Sequence, residues 1–159
     1  MEISHIREAN IEDIHRLIEV FSNSIKTAAV KDYTPNEIKE WLKTTQNKSR
    51  WHDLLKEQVV LVAEVRNQVV GFASLKEGNY LDFMYVHSDF MRQGIAQRLL
   101  NEILDRVKSL KMESISSDVS ITAKPFFEKN GFKVVRKNEN HRGEEVLINY
   151  HMTCEVLTA

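Results

Sequence analysis

Residues His87 to Leu104 read HSDFMRQGIAQRLLNEIL, where an apolar stretch runs through a short loop into a strongly helical segment and Gly94 stands between Arg92-Gln93 and Ile95-Ala96. Alanine at that position would favour a helix by roughly 1 kcal/mol, so helix stability alone does not select a glycine. A strand that feeds a loop and then a helix N-terminus presents unpaired backbone N–H groups and the positive end of a dipole, which together attract an anion. Gly94 has no Cβ, so a phosphate oxygen can approach the main chain, and Arg92 adds a charged fork beside it. These residue types describe a phosphate-binding turn; the alternative is a loop glycine that merely lets the helix pack. The GxxxxGK[ST] and GxGxxG phosphate loops are both absent. Cys154 is the single cysteine, which excludes an internal disulfide, and without CxxC spacing no structural metal is expected.

The elements that must position this turn follow from periodicity. The 159 residues carry 22 basic against 23 acidic side chains, so no global field favours nucleic acid or an anionic membrane, and any anion must be gripped locally. No apolar run approaches the ~20 residues that span a bilayer and no secretory signal opens the chain, so a cytoplasmic location is expected. Scattered glycines and prolines, without repeats or linkers, imply a single domain over residues 1–159. ISHIREA (Ile3 to Ala9) reads as a strand, and Asn10 with Asp13 caps a helix marked by Ile14, Leu17, Ile18 and Phe21. Thr34, Pro35 and Glu37 start a helix that should run to about Thr45, and SRWHDLLKE gives another helical turn or two. QVVLVAEVRNQVVGFASLKE reads as a β-hairpin, YLDFMYVH as a third strand and Ile95 to Val107 as an amphipathic helix. ESISSDVS is a strand, TAKPFFEKNGF a short helix stopped at Asn130-Gly131, and FKVVRKN with EEVLINYHMTCEV a closing hairpin. The predicted order is β-α-α-α-β-β-β-α-β-α-β-β.

The stretch Met91-Arg92-Gln93-Gly94-Ile95-Ala96 resembles motif A of the GCN5-related N-acetyltransferases (GNAT), commonly written Q/R-x-x-G-x-G/A. YVHSDFMRQGIAQRLL is similar to that family's strand-to-helix segment and AKPFFEKNGF to its C-terminal acyl-CoA motif, and the element order matches nearly the whole chain. Within the family, SITAKPFFE, the YTP helix start and the SRW segment resemble a bacterial subgroup labelled YafP-like. The resemblance implies an α/β GNAT (acyl-CoA N-acyltransferase) fold, with a mixed, mostly antiparallel twisted sheet of about seven strands flanked by helices and splayed where acyl-CoA inserts. It implies acetyl-CoA as cosubstrate, no metal, and transfer of the acetyl group to an amine of a small molecule or peptide. A non-catalytic acyl-CoA-binding or regulatory module with the same fold is the alternative, and monomer and homodimer both stay open.

Residue by residue, the resemblance implies that the main-chain N–H groups of Arg92, Gln93, Gly94, Ile95, Ala96 and Gln97 hold the pyrophosphate. The backbone of Met84, Tyr85 and Val86 would pair with the pantetheine amides as a peptide strand would, with the N–H of Val86 stabilising the oxyanion. Ser120, Lys124 and Phe127 complete the cofactor set. Met91 stands where the pattern has Gln or Arg, Ser120 where many members have asparagine, and Phe127 where many have the tyrosine proposed to protonate the departing thiolate. A phenyl ring has no proton to give, so that role does not carry over. The amine must lose a proton; Asp82 is the candidate base, expected by strand alternation to share a face with Met84 and Val86. Tyr150 and His151 are candidate general acids, expected on opposite faces. Tyr33, Trp51 and Tyr80 are candidate substrate contacts through stacking or cation–π interaction, Trp41 reads as core, and KNENHR reads as a solvated hairpin tip. With Cys154 far from the cofactor motif, direct attack of the amine on the thioester is expected.

Overall fold

The structure, a computed structural model, describes residues 5–156. Strand β1 (His5–Glu8) is therefore seen from His5 onward, and Ile3 of the expected strand lies outside the described residues. A capping box between Asn10 and Asp13 starts a short 3-10 turn that leads into α1 (Ile14–Ala28). Arg7 of β1 forks onto both Asp13 oxygens at 2.9 Å and also pairs with Glu64, which ties the first strand and the first helix to the sheet. These bonds hold the Asp13 carboxyl below the usual carboxylate range.

Thr34 and Glu37 form the second capping box, with Pro35 in the first turn of α2 (Pro35–Leu42). The helix stops short of the expected Thr45, because residues Lys43–Gln46 tighten into a 3-10 turn before α3 (Lys48–Glu57). Strands β2 (Gln58–Val65) and β3 (Gln68–Lys76) are joined by Arg66-Asn67 alone, both left-handed with φ of 52° and 62°. That two-residue turn matches the twist of the flanking strands. Then come β4 (Tyr80–Val86), α4 (Ile95–Ser109), β5 (Ser114–Ser120), α5 (Lys124–Lys129), β6 (Lys133–Arg142) and β7 (Glu145–Glu155).

The strands form one seven-stranded sheet in the order β1-β2-β3-β4-β5-β7-β6. Every neighbouring pair is antiparallel except β4 and β5, which run parallel. One core lies between the sheet and α4, built from Leu99, Leu100, Ile103 and Val107 on Leu81, Ile115 and Met152. The other lies under α1 and α3, where Phe21, Trp51, Phe72 and Phe83 pack edge to face or tilted.

Two irregularities open this sheet for chemistry. Strands β4 and β5 pair only at Tyr80–Ser116 and Leu81–Ser117. Beyond those residues they part, leaving backbone groups of each strand unclaimed by the other. Strand β4 also carries a bulge: Leu81 pairs with Leu75 but Met84 with Ala73, so Asp82 and Phe83 together oppose Ser74, whose hydroxyl takes the Phe83 N–H at 3.0 Å. The extra residue reverses the alternation. Leu81, Met84 and Val86 face the α4 core, whereas Phe83 and Tyr85 face the α1 core. Asp82 turns with the latter pair, toward Arg50 of α3 and Gln58, and does not share a face with Met84 and Val86 as simple alternation required.

Candidate active site

A cavity of about 670 Å³ runs from the N-terminus of α4 and from α5, through the gap between β4 and β5, to the end of α1, Trp41 of α2 and the β6–β7 hairpin. Its first end is the turn singled out in the sequence. Arg92 and Gly94 are both left-handed, with φ of 62° and 80°, and Gly94 is the N-cap of α4 rather than a residue inside it. The cost of glycine within a helix therefore does not arise. A Cβ built on Gly94 meets nothing within 4 Å, so packing does not require a glycine; the left-handed backbone does. Alternating hand along a turn aims successive N–H groups into one concavity, and the first-turn N–H groups of α4 add to it. Arg92 and Lys129 supply positive charge on this wall, and Phe90, Met91, Ala96, Phe126 and Phe127 supply apolar surface.

Where β4 and β5 part, one carboxylate stands on each strand just beyond the last paired residues: Asp82 after Leu81 and Asp118 after Ser117. Both Arg50 Nη2 at 3.0 Å and Gln58 Nε2 at 2.7 Å donate to Asp82 Oδ2, and Oδ1 has no partner among the described residues. The Arg50 guanidinium also lies 4.6 Å from the Phe83 ring centroid, which fixes it on this face. Asp118 is more heavily engaged. The Tyr80 hydroxyl donates to Oδ2, Asn138 Nδ2 donates to Oδ1 at 2.9 Å, and His151 Nδ1 lies 2.9 Å from Oδ1. Burial pushes the Asp118 carboxyl up, but these three partners outweigh it and hold the group below the usual carboxylate range. The Tyr80 hydroxyl is raised, by burial first and then by Asp118.

A carboxyl depressed in the folded state stabilises the fold above its unfolded pKa and loses that contribution as pH falls through the folded value. The difference in thermal midpoint between the wild type and Asp118→Asn should therefore be largest near neutrality. It should shrink on acidification below about pH 4, the ordinary carboxylate range. Thermal melts across an acid series check this; a pH-independent difference would contradict it.

At the far end Tyr33, 6 % exposed, donates to Ile148 O at 2.5 Å and accepts from the Ile121 N–H at 3.0 Å. Burial pushes its hydroxyl up to about 12. It therefore stays protonated and ties the segment between α1 and α2 to β5 and β7. Trp41 stacks edge-on against it at 5.2 Å, and both line the cavity.

Of the sequence candidates, Met84, Tyr85, Val86, Arg92, Gly94, Ile95, Ala96, Gln97, Ser120, Phe127, Asp82 and Tyr33 all lie on the cavity wall. Others are elsewhere. Trp51, 1 % exposed, is not the substrate contact expected from its type but a core residue whose indole N–H donates to Thr44 O. Tyr80 is not on the wall; its hydroxyl orients Asp118. His151 sits behind Asp118, and Tyr150 lies on the opposite face beneath Lys124, whose ammonium is 4.8 Å from its ring centroid. Tyr80, Tyr150, His151, Lys124 and Gln93 are not among the residues that line the cavity. Sequence reasoning missed Asp118, a lone acid in a serine-rich strand, and Trp41, whose helical spacing read as core. It also missed Asn140, Arg142 and Asn149 of the last hairpin, which line the wall although KNENHR reads as solvated.

Comparison with known proteins agrees with this geometry. A family model described as an acetyltransferase (GNAT) domain matches residues 29–155. The chain is 33 % identical to the uncharacterized N-acetyltransferase YafP of Escherichia coli (strain K12) over 148 residues, covering 92 % of this chain and 93 % of that protein. Among solved structures it is similar to a GCN5-related N-acetyltransferase from Rhodopseudomonas palustris, with a TM-score of 0.93 and 26 % identity over 98 % of this chain and 97 % of the other. It also shares the fold of the PaiA N-acetyltransferase from Thermoplasma acidophilum in complex with coenzyme A, with a TM-score of 0.79 and 23 % identity over 97 % of this chain and 99 % of the other.

Proposed function

The chain belongs to the GNAT acetyltransferase family, and from that premise we propose that it transfers an acetyl group from acetyl-CoA directly to an amine of a small molecule or peptide. The observation that carries this reading is the parting of β4 and β5, through which one cavity runs from the left-handed turn before α4 to the β6–β7 hairpin, with a carboxylate at the edge of the gap. The Thermoplasma relative was solved with coenzyme A, which supports the same occupant here.

The chain's own residues then divide the work. The left-handed turn at Arg92 and Gly94, the first turn of α4 and the charges of Arg92 and Lys129 hold the pyrophosphate end. Main-chain groups of β4 from Met84 to Val86, unclaimed by β5, orient the tail as an added strand would. Acetyl-CoA supplies an activated acyl carbon, to which the amine nitrogen bonds while the carbon–sulfur bond breaks and the thiolate departs. Asp82, with one oxygen pinned and the other free, attracts the incoming ammonium and takes its proton, directly or through one water. Asp118 already accepts from three partners and serves better as a fixed negative charge than as the base. Phe127 lines the wall and donates no proton; the Ser120 hydroxyl, which accepts from the Ala123 N–H at 3.1 Å, can donate a hydrogen bond to the departing thiolate, which is neutralised by the second proton that the attacking nitrogen loses as the amide forms. Cys154 is off the wall and its thiol is raised by burial, so attack is direct rather than through an acylated cysteine. Amine-dependent release of free thiol from acetyl-CoA, with acetyl-CoA binding measured separately, tests the proposal.

A further inference from the structure

The chemistry of the β6–β7 hairpin narrows the class of acceptor. Asp118, as a carboxylate, only accepts hydrogen bonds, so Asn138 must present its NH₂ group to it. The same Nδ2 donates to Asn149 Oδ1 at 2.9 Å. Asn140 Nδ2 donates to Leu147 O at 3.0 Å and to the same Asn149 oxygen at 3.1 Å. Two amide donors converge on Asn149 Oδ1, which fixes the orientation of that side chain. Its Nδ2 is left as a donor without a protein partner among the described residues. Arg142, an exposed residue, has no side-chain partner among them either, and Arg142 and Asn149 both line the cavity. The acceptor chamber thus has two poles: carboxylates at the gap, and unclaimed donors at the hairpin. Trp41, Tyr33 and Leu147 supply apolar surface on the same wall.

We propose that the acceptor is an amine that also bears a carboxylate, its nitrogen directed to Asp82 and its carboxylate held by Arg142 and the Asn149 amide. A guanidinium fork matches a planar carboxylate with two parallel hydrogen bonds, and the fixed Asn149 donor adds a third. A purely cationic acceptor such as a polyamine would leave Arg142 facing like charge. The direction of the amine rests on the transferase reading; the carboxylate pole does not depend on it.

Matched acceptors that differ only in carboxylate against carboxamide test the proposal: amino acids and dipeptides beside their amides, with a polyamine as the cationic control. Thiol release should favour the acid of a pair by about tenfold in kcat/KM, chiefly through KM, and Arg142→Gln should abolish most of that preference. Arg142→Lys, which keeps the charge but loses the fork, should fall between the two. Calorimetric binding of the same pairs to the protein saturated with coenzyme A reads the carboxylate pole without turnover. Preferential binding of acids with no turnover would sustain this inference and sink the transferase reading. Equal use of acid and amide by the wild type, or an equal loss on both in Arg142→Gln, would overturn the inference alone.

Discussion

Gly94→Val is expected to weaken acetyl-CoA binding by about ten- to a hundredfold while the protein stays folded. The backbone at Gly94 has φ of 80°, and a β-branched residue held there costs roughly 1–3 kcal/mol. The chain can escape that strain only by turning the peptide units of Met91 to Ile95 out of the arrangement that gathers their N–H groups. Binding suffers more than stability, because a Cβ at this position meets no protein atom within 4 Å and projects into space on the cavity wall. For a domain of this size about 1 kcal/mol corresponds to a shift of roughly 2–4 °C in thermal midpoint, so a loss of a few degrees is expected without ligand. Calorimetric titration of acetyl-CoA and ligand-free melting separate the two effects. Gly94→Ala, with one methyl and less restriction, should fall between. Unchanged affinity in the valine variant would mean that the turn does not hold the cofactor.

Asp82→Asn should lower turnover by about two to four orders of magnitude, the span that removing a positioned general base commonly produces. The isosteric amide can still accept from Arg50 Nη2 and Gln58 Nε2, so the β4 bulge should survive, and Arg50 keeps its place over Phe83. Acetyl-CoA affinity should accordingly be unchanged. Turnover and cofactor binding measured on the same preparation distinguish this from a general loss of structure. If turnover with a good acceptor persists, the proton goes elsewhere, and Asp118, the other carboxylate on the wall, becomes the group to remove.

The two variants lie on opposite sides of what the sequence could express. Gly94 stood out because its signal is local, a helix-weakening residue at the mouth of a strong helix, whereas the left-handed backbone that it shares with Arg92 came only with the structure. Element order was legible through equally local signals, the caps at Asn10 and Thr34 and the polar Arg66-Asn67-Gln68 between two valine-rich runs, of which Gln68 belongs to β3 in the structure. Asp82 was identified as a residue but placed on the wrong face, since a bulge depends on how β4 meets β3 and leaves no mark in the alternation of one strand. Trp41 and Trp51 show the limit of helical periodicity. Both fit an apolar stripe, and only the packing of α2 and α3 decides that Trp51 is enclosed by Phe21 and Phe83 while Trp41 reaches the cavity beside Tyr33. The network around Asp118 draws residues from β4, β5, β6 and β7, each partner 20 to 38 positions from Asp118, so no window of sequence contains it.

The decisive measurement is the product itself. Acetyl-CoA and a panel of amines incubated with the protein should release free thiol in an amine-dependent, saturable manner, matched one for one by acetylated nitrogen in the acceptor and lost in Asp82→Asn. Tight acetyl-CoA binding without thiol release above the amine-free control, on every acceptor tried, would contradict the transferase reading and leave an acyl-CoA-binding module.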